Sequence, residues 1–135
     1  MKNILLIIAA IFTFNTVLAQ DINQVMDEIT IIIKAKNEQE LSRYLAPRVE
    51  ITMNDIPKEY TKVQALNTLI KFLNPLQINS YDIVHLSSVD ENSKYAITKL
   101  VTQNKTYSSS VFIDKIKDKY LIREIHFKDE VSKRN

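Results

Sequence analysis

Between Ser80 and Lys128, five side chains are of types that could bind or react with a ligand: His85, Lys99, Tyr107, Ser109 and Arg123. An imidazole is poised to exchange a proton near neutral pH, and a serine becomes a nucleophile when a base reaches it. An arginine clamps anions. Together the five form the candidate ligand-binding set. Arg123 is the most informative of them. It lies between Leu121 and Ile125 and cannot shed its charge. It therefore needs an acceptor: Glu50, a helix C-terminus or an anionic ligand. With an internal partner, Arg123→Ala is expected to cost about 3–5 kcal/mol.

No catalytic constellation is complete. Pairing His85 with Ile97 leaves Ser109 two strands away, roughly 10 Å, which is too far for a nucleophile–base pair. Glu124 and His126 share a face but supply two metal ligands where three or four are needed. No catalytic residue, metal or cofactor is assigned. The chain contains no glycine, against ordinary usage of about 7%. Phosphate-binding loops, dinucleotide fingerprints and nucleophile elbows, which depend on glycine, are all absent. Asn104-Lys105-Thr106 matches a glycosylation sequon but reads as a hairpin turn.

The elements that position these residues are strands in series. Side chains alternate with period 2, so an assumed register decides which share a face. Three-residue loops at Gln103-Asn104-Lys105 and Lys117-Asp118-Lys119 are predicted. They set Val101 opposite Tyr107, Ile97 opposite Val111, Ile113 opposite Arg123 and Val111 opposite Ile125. One face then holds Tyr81, Ile83, His85, Tyr95, Ile97, Lys99, Val101, Tyr107, Ser109, Val111, Ile113, Leu121, Arg123, Ile125 and Phe127. Being richer in large apolar groups, it is assigned to the core. A two-residue loop in the last hairpin scatters those groups and is rejected. Leu86, Leu100, Phe112 and Ile122 fall on the outer face, more apolar than water requires. The polar residues on the inner face imply side chains that snorkel from strand ends, an internal ion pair or a wet ligand pocket.

Upstream, Asp21 caps a predicted helix to Lys36, and Asn37 opens a short one stopped by Pro47. Val49, Ile51 and Met53 alternate as a strand, Asn54 to Tyr60 is a connection, and Thr61 with Gln64 caps a helix ending at Asn74-Pro75. Residues 1–19 carry Lys2, an apolar core and Val17-Leu18-Ala19, the pattern of a cleaved signal peptide. Residues 20–135 are expected to form a single domain, exported to the periplasm or secreted, with no stable membrane anchor. Cysteine is absent, so neither disulfides nor a lipid-modified cysteine is expected. Loss of Lys2 leaves 17 basic against 16 acidic residues, a net charge of +1, which gives no footing for nucleic-acid binding.

This α+β order, helix-helix-strand-helix and a four-strand meander, resembles the cone of the nuclear-transport-factor-2-like superfamily. More closely, it resembles a bacterial secreted family known as domain of unknown function 4783. The stretches that carry the resemblance are Arg48-Val49-Glu50-Ile51-Thr52, Tyr81-Asp82-Ile83-Val84-His85, Ser93-Lys94-Tyr95-Ala96-Ile97, Leu100-Val101-Thr102, Lys105-Thr106-Tyr107 and Lys119-Tyr120-Leu121-Ile122. The resemblance implies helices packed on a curved antiparallel sheet, a pocket between them, and pairing of subunits through the sheet's other face. It implies no assigned activity. An isomerase-type pocket would need a carboxylate base, and the inner face has none. Asp82 and His85, three apart on a strand, point to opposite faces, so a dehydratase-type pair is unsupported. The expected role is a non-enzymatic exported domain binding a small molecule or a protein, with a possible homodimer through the outer face. The alternative is an isomerase- or hydratase-type enzyme using His85 and Arg123.

Overall fold

A computed structural model describes residues 21–130; the expected leader lies outside them. Asp21 caps α1 (Ile22–Ala35), its carboxylate accepting from the Asn23 N–H at 2.9 Å. The β-branched run Ile29–Ile33 stays helical because Val25, Met26, Ile29 and Ile33 fall on one buried stripe. Asn37 caps the short α2 (Glu38–Arg43), and Thr61 with Gln64 forms a reciprocal capping box on α3 (Lys62–Leu73). The Lys36 ammonium donates to the carbonyls of Asn74 and Leu76 just past α3, tying the end of α1 to the end of α3.

Six strands make one curved, unclosed sheet. They are β1 (Leu45–Met53), β2 (Ile56–Thr61), β3 (Ile78–Asp90), β4 (Ser93–Thr102), β5 (Thr106–Ile116) and β6 (Lys119–Asp129). Their spatial order is β2-β1-β6-β5-β4-β3. The segment read as a connection is therefore a strand, β2. Pro57 is tolerated there because β2 is an edge strand that need not donate outward. β1 starts at Leu45, before Pro47, and the proline falls where β1–β6 pairing is interrupted between Leu45 and Glu50. That pairing is parallel, so the sheet is not antiparallel throughout.

Two hairpins depart from the expected register. At the first, Val101 pairs with Thr106 and Leu100 with Tyr107, leaving a four-residue loop. Thr102 holds that loop shut: its hydroxyl donates to the Lys105 carbonyl at 2.8 Å and accepts from the Lys105 N–H at 3.0 Å. One extra loop residue turns β4 over, so Ala96, Thr98 and Leu100 are buried while Tyr95, Ile97, Lys99 and Val101 are not. At the second, Ile116 pairs with Lys119 around a two-residue loop. Lys117 and Asp118 have φ of 47° and 65°, as a type I′ turn requires. The rejected loop is thus the real one, and a bulge rescues it. Ile113 pairs with Ile122, then Phe112 with Glu124 and Val111 with Ile125, so Arg123 is the extra residue. Past the bulge the expected pair Val111–Ile125 is recovered, and Ser109 pairs with Phe127. A third irregularity, between Ile83 and His85 in β3, keeps Tyr81 inside and turns His85 out.

One core joins the helices to the sheet. Met26, Ile29, Leu41, Leu69 and Leu73 from the helices meet Val49, Ile51, Leu100, Val111, Ile113, Ile122, Ile125 and Phe127.

Candidate functional site

Aromatic rings occupy the space between α3 and the sheet. Phe72 stacks edge-on with Tyr107 at 5.4 Å and packs against Phe127 at 4.8 Å, and Tyr81 lies 6.5 Å from Phe127. The polar groups inside satisfy one another: the Thr98 hydroxyl donates to the Tyr81 oxygen at 3.0 Å, which shares a 3.3 Å hydrogen bond with Ser109. Burial pushes the Tyr81 phenol pKa up, partly opposed by its bonds to Ser109 and Thr98. These are core residues with closed hydrogen bonding, not the lining of a wet cavity.

The five candidates are not brought together. Tyr107 and Ser109 are buried inside as expected. His85, Lys99 and Arg123 are exposed. His85 bonds Ser87 at 2.8 Å and pairs with Ile97 on the outer face. Lys99 points outward because β4 is inverted relative to expectation, and Arg123 is extruded by the β6 bulge. Among the described residues Arg123 makes no ion pair. Its expected acceptor, Glu50, faces Glu124 and His126 instead. Of the four apolar residues expected outside, Leu100 and Ile122 are buried within, and Leu86 packs partly against the core.

Two clefts among the described residues open beside these groups, one reaching Tyr107 and the other Ser109 and Phe127. A cleft of about 320 Å³ separates Pro75, Leu76 and Gln77 from the Thr102–Lys105 turn and Tyr107. A second of about 220 Å³ runs over the outer face of the sheet. Its wall includes Tyr95, Ile97, Ser110, His126 and Lys128, and Thr52 lies at its β1 side. Lys128 bonds Asp55 at 2.9 Å at one end. Register explains the assembly: Ile97, Ser110, His126 and Thr52 form one row across β4, β5, β6 and β1. The next row holds Tyr95, Phe112, Glu124 and Glu50. Thr52 is only 8% exposed, and its hydroxyl has no hydrogen-bond partner among the described residues.

Glu50, Glu124 and His126 therefore form a cluster whose ligand atoms all lie within 4.8 Å of one another. Two members were readable as a pair. The third arrives because β1 docks in parallel on β6, with Glu50 beside Glu124. The only trace in sequence is that Glu50-Ile51-Thr52 and Glu124-Ile125-His126 share a polar–apolar–polar alternation.

The family described as domain of unknown function (DUF4783) matches residues 26–128. The chain belongs to the DUF4783 family. Among solved structures, a DUF4783 protein from Bacteroides uniformis is similar at 24% identity and TM-score 0.74, covering 80% of this chain and 99% of that one. A DUF4783 protein from Bacteroides fragilis is similar at 25% identity and TM-score 0.70, covering 76% and 95%. An NTF2-like protein of unknown function from Cytophaga hutchinsonii shares the fold at 14% identity and TM-score 0.58, covering 80% and 88%. No curated protein matches. The fold of this DUF4783 chain is thus the NTF2-like α+β cone. No helix among its described residues is long and apolar enough to cross a membrane.

Proposed function

We propose that this DUF4783 domain is an exported, non-enzymatic binding module whose recognition surface is the outer face of the sheet, with a small polar ligand seated in the groove beside Tyr95, Ser110 and His126. The observation that carries this reading is the filled cone. Phe72, Tyr81, Tyr107 and Phe127 occupy the interior, and its hydroxyls bond to one another. The groove, by contrast, joins an aromatic ring, hydroxyls, an imidazole and a lysine, the mix of apolar wall and few polar groups that orients a small molecule. The isomerase or hydratase alternative needs His85 and Arg123 in one cavity, and both stand exposed on different parts of the sheet.

A thermal-shift screen in EDTA-containing buffer tests this, comparing wild type with Tyr95→Ala, His126→Ala and Tyr107→Phe. Compounds that raise the melting temperature of wild type and Tyr107→Phe, but not of the two groove variants, are the expected result. Stabilisation that survives both groove variants and is lost in Tyr107→Phe would return the ligand to the cone side.

A further inference from the structure

We propose that Glu50, Glu124 and His126 bind a divalent transition-metal cation of the zinc type on the outer face of the sheet. This goes beyond the groove reading and does not need an organic ligand.

Two carboxylates and one imidazole are a suitable donor set. Zn²⁺ takes nitrogen and oxygen ligands at about 2.0–2.2 Å, and sites with three protein ligands leave a position for water. Atoms about 2.1 Å from one tetrahedral ion stand about 3.4 Å apart. The three donors, all within 4.8 Å of one another, thus reach that spacing by small side-chain rotations. The backbone holds them in place. Glu50 and Glu124 are neighbours on parallel strands, and His126 follows Glu124 by two on the same face. Strands position ligands more tightly than loops do. The imidazole favours zinc-like ions over magnesium or calcium, which prefer all-oxygen sites.

Two further observations point to a cation. The first is charge. Like charges directly across a strand pair repel, and Glu50 lies between Glu124 on one side and Glu59 on the other. Glu59 is answered by Arg48 at 2.8 Å. Among the described residues neither Glu50 nor Glu124 has a lysine or arginine partner; Glu124 has only His126, at 3.8 Å. The second is Thr52. It completes a two-by-two grid, following Glu50 by two on the same face and pairing in register with His126. Its hydroxyl is buried and without a partner, although buried polar groups normally have one. A water carried by the ion would supply it.

The test is calorimetric titration of the metal-stripped full chain with Zn²⁺, with Mg²⁺ as the comparison. One equivalent of Zn²⁺ is expected to bind wild type and His85→Ala alike, with Mg²⁺ far weaker. Glu50→Gln, Glu124→Gln and His126→Ala should each lower affinity about 10-fold or more, and Thr52→Val about 10-fold, in line with losses from removing an outer partner. Circular dichroism of each variant confirms that the fold is retained. Absence of binding to wild type would overturn the proposal. So would loss confined to His126→Ala with both glutamine variants unchanged, which describes a lone surface imidazole. Because the ligand screen runs in EDTA, either idea can fail without the other.

Discussion

Tyr81 shows how one hydroxyl can settle what an interior is for. Its oxygen joins Thr98 and Ser109, so Tyr81→Phe leaves two buried hydroxyls short of a partner. That change should cost about 1–3 kcal/mol in urea unfolding. Arg123 behaves in the opposite way. Extruded by the bulge and exposed, it should give a loss under about 0.5 kcal/mol on Arg123→Ala, rather than the 3–5 kcal/mol of a buried pair. Tyr44 supplies a pH signature. Burial, then its hydrogen bond to Glu28 and the charge of that carboxylate, push its phenol up to about 12 from an ordinary 10.0. A raised folded pKa means that the contribution is whole below pH 10 and is lost as pH climbs toward 12. Wild type should therefore lose stability more steeply than Tyr44→Phe over that interval, as read from urea midpoints at successive pH values.

At the scale of elements, capping and turn chemistry decide the details. The Thr61–Gln64 box on α3 was readable from residue types alone because both partners lie within one turn of helix. Thr61→Ala should cost about 1 kcal/mol, measured by thermal or urea unfolding. The β5–β6 turn was misread for a physical reason. A chain without glycine must place Lys117 and Asp118 at positive φ, where side chains other than Asn, Asp or Gly carry a steric penalty. Lys117→Asn with Asp118→Gly should consequently raise stability by about 1 kcal/mol, and an unchanged melting temperature would count against the turn assignment. The bulge at Arg123 then compensates for the short loop. Apolar alternation reports the majority face of a strand, but not where a single extra residue resets it.

For the whole molecule, the sheet is a hairpin, β1–β2, joined to a meander by the parallel β1–β6 pair. Amide exchange should be slowest in the central strands β5 and β6. It should be fastest in the edge strand β2 and in the exposed end of β3 around Val84–Asp90. Early exchange in β6 would contradict that order. The local interactions were determined by the sequence itself: three helices with their caps, and the strand alternation of β1 and the meander. Each depends on neighbours within a few residues. What only the tertiary structure decided is the phase of β4, the extrusion of Arg123, the outward turn of His85 and the arrival of Glu50 beside Glu124 and His126. Those depend on loop lengths, bulges and a parallel contact between segments far apart in the chain. A one-residue slip exchanges the two faces of a strand while leaving its composition untouched.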